Sequence, residues 1–208
     1  MEAVVFDLDG VIVDTEKYWS EAENEIYRKA TGEELEPSEL SGMTISNTYE
    51  YLSGEYGTQL SFEEFFDMYE ERAREVYMEK AELMPGFQSL IEELGEKGIL
   101  IGVATGSYWT DLVIERFDLD FDAKSDANLV EGNGKPDPET YELAIEKLGV
   151  EPEKAVAVED SDPGVESAKR AGLHVIGFTG SEGQSLSEAD EVVETPEELR
   201  ERLLQLTD

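Results

Sequence analysis

The chain has 208 residues, no cysteine and one histidine, with 51 acidic against 16 basic residues and a net charge of −35. Disulfides, thiolate catalysis and cysteine-ligated metals are excluded, and most zinc hydrolases, Cys–His enzymes and Ser–His–Asp triads drop out unless His174 faces a site. The acids are spread among periodic apolar residues as a solvated coat, which opposes binding to nucleic acid or to an anionic membrane. At about 1 M salt the Debye length is roughly 3 Å, so such a coat suits a halophilic cytosol and is self-repelling in dilute buffer. Glu2, Asp7 and Asp9 interrupt the N-terminal apolar run, no stretch is long enough to span a membrane, and a cytoplasmic monomer is the default expectation.

Ala3-Val4-Val5-Phe6 reads as a short buried strand that runs into Asp7-Leu8-Asp9-Gly10. Residues i and i+2 of extended backbone share a side, so Asp7 and Asp9 can converge. Alone, the pair fits an acidic turn as well as a metal or acid–base site. From Thr15 to Leu83 the spacing is helical, with no strands. Tyr18, Trp19, Ala22, Ile26 and Ala30 mark a first helix stopped by Gly32, and a weaker one covers Ser46 to Tyr56. Ser61-Phe62-Glu63-Glu64 is a capping-box pattern, and Phe62, Phe65, Phe66, Tyr69, Ala73, Val76 and Tyr77 form a stripe read as core.

After Met84-Pro85-Gly86 helices and strands alternate. A helix from Phe87 to Lys97 precedes the strand Ile99–Ala104, and a helix from Tyr108 to Phe117 leads to an irregular stretch ending at Asn133. A helix from Pro138 to Leu148, with Asp137 as its N-cap and Gly149 beyond its end, precedes the strand Ala155–Val158. A helix from Pro163 to Ala171, strands His174–Phe178 and Glu191–Val193, and a last helix from Pro196 to Leu206 complete the chain. The pattern predicts an α/β fold with a Rossmann-like parallel sheet, formed by residues 1–14 plus 84–208 and interrupted by a helical insertion over 15–83.

Ligands of open parallel sheets bind beyond the carboxyl ends of the strands. There the sequence puts Asp7 and Asp9, then Thr105-Gly106-Ser107, then Glu159-Asp160, with Lys135 in a Gly/Pro-bounded loop. Each piece alone has a bland counterpart: a turn, a solvated lysine, helix-capping acids. In this order they supply hard oxygen ligands, a nucleophilic carboxylate, hydroxyl donors and a cation.

That ordered set resembles the haloacid dehalogenase superfamily, in its β-phosphoglucomutase-like and phosphoglycolate-phosphatase-like branch. Asp7-Leu8-Asp9-Gly10-Val11, Thr105, Lys135 and Glu159-Asp160 match its four motifs in order, and residues 15–83 match its small helical cap. The resemblance implies that Asp7 attacks phosphorus and that Asp9 serves as acid and base. It implies Mg²⁺ held by Asp7, the Asp9 carbonyl and Asp160 with Glu159 close by, and phosphoryl oxygens held by Thr105, Gly106, Ser107 and Lys135. Asp9 is absent from the dehalogenase members, so phosphate esters are implied. Mutases of the branch carry a cap histidine where this chain has Trp19, and a cap arginine that Gly42-Met43-Thr44-Ile45 lacks. The expectation is therefore a phosphatase of small phosphorylated metabolites, phosphoglycolate and sugar phosphates among them. A phosphosugar mutase and a catalytically silent binding protein are the alternatives. Glu16, Trp19 and the Gly42 to Asn47 loop are candidates for contacting the substrate.

Overall fold

A computed structural model describes residues 1–35, 40, 43–130, 134–180 and 186–207. In chain order the elements are β1 (Ala3–Phe6), β2 (Val13–Asp14), α1 (Glu16–Thr31), α2 (Ile45–Glu55), α3 (Phe62–Glu75), β3 (Glu82–Leu83), α4 (Phe87–Glu96), β4 (Leu100–Ala104), α5 (Thr110–Phe117), β5 (Ala123–Ser125), α6 (Glu139–Leu148), β6 (Ala155–Glu159), α7 (Asp162–Arg170), β7 (His174–Phe178), β8 (Glu191–Val193) and α8 (Pro196–Gln205).

Six strands form one parallel sheet in the order β5-β4-β1-β6-β7-β8. Alternate residues of β1 enter different cores, because successive side chains of a strand point to opposite faces. Val4 and Phe6 pack with Leu90 and Leu94 of α4, Val113 of α5, and Leu199 and Leu203 of α8. Ala3 and Val5 pack with Tyr141 and Ala144 of α6 and Val165 and Ala168 of α7. Burial on both faces is why the strands read as unbroken apolar runs rather than alternating ones. From β1 the chain moves outward through β4 to β5, then crosses back to β6, β7 and β8, so the strand order reverses beside β1.

Three strands, β5 and the paired β2 and β3, depart from the sequence expectations. Ala123–Ser125 lies inside the stretch read as irregular, because three residues with a lysine in the middle carry no periodic signal; Asn133, where that stretch ends, lies outside the described residues. The insertion read as strand-free contains β3, whose Glu82 and Leu83 pair antiparallel with Asp14 and Val13. That ribbon ties together the outgoing and returning chains. α5 starts at Thr110 rather than Tyr108, and α6 at Glu139 after Pro138, while the Asp137 carboxylate still accepts from the Glu139 N–H at 3.1 Å. α3 begins with the expected capping box and continues into one π-helical turn, Val76–Lys80. Phe65, Tyr69 and Ala73 of the aromatic stripe are buried, Phe62 is exposed and Phe66 half-buried. Among the described residues no helix is long and apolar enough to cross a membrane.

The acidic coat has a direct consequence for stability. With 51 acids and 16 bases, bringing the chain together costs more when counterions are scarce. The melting temperature is expected to rise steeply from dilute buffer to molar KCl, with the fold lost on desalting. Thermal melts across a KCl series check this, and an unchanged midpoint would contradict it.

Candidate active site

The carboxyl ends of β1, β4 and β6 lie side by side, since Phe6 is level with both Val103 and Val158. Asp7, Thr105 and Asp160 are therefore each delivered within a residue or two of one level. The crevice they flank is where the strand order reverses, which is where open α/β sheets bind ligands.

Asp7 is buried, and its Oδ1 accepts from Lys135 Nζ at 2.5 Å. The same ammonium lies 2.5 Å from Glu159 Oε1, and Tyr141 Oη donates to that oxygen at 2.7 Å. Burial raises the Asp7 carboxyl to about 7, with Lys135 working against the shift and Glu159 adding to it. Burial opposes the charge of Lys135, but the Asp7 and Glu159 carboxylates outweigh it and hold the ammonium above its ordinary range. Glu159 is wholly buried, and a Cβ at position 164 would run into its carboxylate, so glycine opens the space it occupies.

Asp9 takes a different route. Thr15 occupies the N-cap position of α1 but does not cap it; its Oγ1 donates to Asp9 Oδ1 at 2.5 Å. Tyr77 Oη donates to Asp9 Oδ2 at 2.8 Å and lies 3.0 Å from Ser107 Oγ, while Trp19 Nε1 donates to the Tyr77 oxygen at 3.2 Å. Burial raises the Asp9 carboxyl against the lowering effect of the Thr15 and Tyr77 bonds. Both oxygens are thus fixed, which sets the direction in which the group can exchange a proton. Tyr77 sits in the π-helical turn that follows α3, a feature frequent at functional sites. Its polar tip, at the end of an apolar stripe, was the one signal in the sequence that it reaches a site. Thr15 and Tyr141 gave none.

Asp7, Glu159 and Asp160 present carboxylate oxygens within 4.8 Å of one another. Three hard oxygen donors converging this closely fit Mg²⁺. Burial and the neighbouring Asp7, Glu159 and Glu16 carboxylates push the Asp160 carboxyl well above its ordinary range, an excess of negative charge that a divalent cation would offset. Gly10 adopts φ +78°, and a side chain there would collide with the Asp160 carboxylate. The Asp9 carboxylate is not one of this trio.

Thr105 is buried, and its Oγ1 accepts from the Ser107 N–H at 3.1 Å, which folds the Thr105–Ser107 turn beneath a cavity of about 840 Å³. Asp9, Gly106, Ser107 and Lys135 line the floor of that cavity, and Glu16, Trp19, Glu23 and Tyr69 line its other side. Trp19 both packs and lines: it stacks on Tyr69 and on Trp109 with ring centres 6.2 and 6.0 Å apart. Of the Gly42 to Asn47 loop, Gly42 lies outside the described residues, Met43 and Thr44 line the cavity, and Thr44 caps α2. His174 stands at the opposite end of the sheet, as the first residue of β7, with Nε2 2.9 Å from Glu191 Oε1.

Glu23 was not singled out from the sequence. Burial raises its carboxyl from 4.5 to about 7, despite hydrogen bonds from Tyr69 and Tyr27. Between those two values the folded chain binds more protons here than the unfolded one, so stability falls as pH rises through that window. Glu23→Gln is expected to flatten this slope, gaining at most about 3 kcal/mol on the wild type at pH 8 and nothing at pH 4. Denaturant titrations of both proteins at the two pH values check it.

The haloacid dehalogenase-like hydrolase profile matches residues 4–178. A phosphorylated carbohydrates phosphatase of Thermotoga maritima is 36% identical over 96% of both chains. A β-phosphoglucomutase of Bacillus subtilis is 30% identical over 98% of this chain and 94% of its own. The crystal structure of β-phosphoglucomutase from Clostridium difficile superposes with a TM-score of 0.82 at 26% identity, over all of this chain and 96% of that one. Whole-length identity, a shared fold and motifs gathered at the strand ends agree: the chain belongs to the haloacid dehalogenase-like hydrolase family.

Proposed function

We propose that the protein is a Mg²⁺-dependent phosphatase of small phosphorylated carbohydrates that works through an aspartyl-phosphate on Asp7. The observation that carries this is the buried Asp7 carboxylate at the end of β1, held by Lys135, with a second carboxylate two residues on whose oxygens are both fixed by hydroxyl donors. Asp7 attacks phosphorus as the bond to the leaving alcohol breaks, and Asp9 supplies that alcohol with a proton. Asp9 then takes a proton from the water that cleaves the acyl-phosphate, releasing phosphate and restoring Asp7. Thr105 and Lys135, with the Gly106 and Ser107 backbone, hold the phosphoryl oxygens. Mg²⁺, held by Asp7, Asp160 and the Asp9 carbonyl with Glu159 nearby, would offset the charge of the phosphoryl group. Residues 15–83 serve as the cap on the core of 1–14 plus 84–208, and Glu16 and Trp19 face the leaving group from it.

A mutase must hold a second phosphate. Among the described residues lining the cavity only Lys17 and Lys135 are cationic, and Lys135 is bound to Asp7 and Glu159, which supports the phosphatase. Phosphate release from p-nitrophenyl phosphate and glucose 6-phosphate, assayed in molar KCl with and without Mg²⁺, tests the reading. Interconversion of glucose 1- and 6-phosphates would replace it with the mutase. Tight binding of a phosphometabolite without turnover would replace it with a silent binding protein. Tyr77→Phe removes one donor from Asp9 and is expected to lower kcat about tenfold, the value of a hydrogen bond to a charged group; steady-state rates measure it.

A further inference from the structure

The chemistry above uses the cavity floor, with Glu16 and Trp19 facing the leaving group, and gives Glu23 no part. Glu23 lines the cavity from α1, and its Oε1 lies 3.4 Å from Tyr69 Oη, which is itself 3.3 Å from Tyr27 Oη. A carboxylate has about four acceptor sites, and the two tyrosine hydroxyls leave the others unfilled. Among the described residues no cation stands against it; only the two tyrosines and the distant Asp9 act on it. A partly buried carboxylate facing a cavity is costly unless something entering that cavity donates to it.

The rest of the lining says what can enter. Asp9, Glu16, Glu21 and Glu23 stand against Lys17 and Lys135, and Lys135 is already held by two carboxylates. A leaving group bearing its own carboxylate or a second phosphate would bring like charge into this space, whereas one bearing hydroxyls brings donors. The Trp19 ring beside Glu23 adds a flat apolar surface against which C–H groups can lie.

Resting on the phosphatase reading and narrowing it, we propose that Glu23 recognises hydroxyls of the leaving group and selects neutral polyol or sugar monophosphates over carboxylate-bearing monophosphates and bisphosphates. Its carboxyl, raised to about 7, is present near neutrality as both acceptor and donor, and either form bonds a hydroxyl.

The test compares kcat/KM for sorbitol 6-phosphate and 2-phosphoglycolate, in molar KCl with Mg²⁺, for the wild type, Glu23→Gln and Glu23→Lys. The wild-type ratio is expected to favour sorbitol 6-phosphate by about a hundredfold; Glu23→Gln lowers the ratio about tenfold, and Glu23→Lys lowers it further or inverts it. A wild-type ratio near one, or a ratio unmoved in both variants, overturns the proposal, because a merely structural glutamate would change both substrates alike. Titration of Asp7→Asn with the same two phosphates, followed by tryptophan fluorescence, reads the preference without turnover. Tighter binding of sorbitol 6-phosphate there, with no ester hydrolysed by the wild type, would uphold the selectivity and sink the phosphatase reading. Equal binding would overturn the selectivity whatever the turnover.

Discussion

Asp7→Asn is expected to abolish phosphate release, lowering kcat by a factor on the order of 10⁴ or more, as removal of a covalent nucleophile does elsewhere. The amide is nearly isosteric with the carboxylate but does not attack phosphorus. The fold should survive, because the substitution removes one of the carboxylates that burial and Glu159 already penalise at this strand end. Activity and melting temperature therefore separate: the first collapses and the second is unchanged or slightly higher. If Asp7→Asn turned over normally, the nucleophile would lie elsewhere. If it failed to fold, the partnership of Asp7 with Lys135 would matter more for stability than its repulsion with Glu159.

Lys135→Met should have the largest effect on stability. Its ammonium is buried between Asp7 and Glu159, at 2.5 Å from each. Removing one partner of a buried ion pair leaves charge uncompensated, and about 3–5 kcal/mol is lost. Methionine keeps most of the stem volume, so the loss reports charge rather than packing. It should also be greater at pH 8 than at pH 5. Without the cation that lowers it, the Asp7 carboxyl, raised by burial and by the neighbouring Glu159, keeps a proton in the folded state that it releases when unfolded, so stability falls further as pH rises. Phosphate release should vanish in the same variant, since the phosphoryl group loses its cationic ligand. Denaturant melts of metal-free protein at the two pH values, with assays alongside, check both parts. A variant as stable as the wild type at pH 8 would show that the carboxylates find other partners.

How far the sequence was legible depended on how much signal each residue carried locally. β1, β4, β6 and β7 were readable because burial on both faces leaves runs such as Ala3-Val4-Val5-Phe6 with no polar interruption. β5 and the β2–β3 ribbon were not, since Ala123-Lys124-Ser125, Val13-Asp14 and Glu82-Leu83 each alternate too briefly to signal a strand and are set by their partners, as Glu82 is by Asp14. The strand-exit acids, Thr105 and Lys135 were legible as an ordered set, although nothing local distinguishes Glu159 from the other acids of so acidic a chain. What singles it out is tertiary: complete burial, the Tyr141 hydroxyl and the space left by Gly164. Tyr77 was assigned correctly to the core and incompletely to its role, because a stripe records where a ring packs and not what its hydroxyl reaches. Glu23 belongs to the same class: on a helix rich in glutamate, only the cavity marks it out.

The proposed chemistry turns on a covalent bond from Asp7 to phosphorus. Wild-type protein mixed briefly with a carbohydrate phosphate and Mg²⁺ in molar KCl, quenched in acid and mapped by mass spectrometry, tests it most directly. A phosphoryl group is expected on the peptide containing Asp7, removable by hydroxylamine and absent from Asp7→Asn. Phosphate released with no such adduct, or an adduct on a peptide without Asp7, would contradict the account.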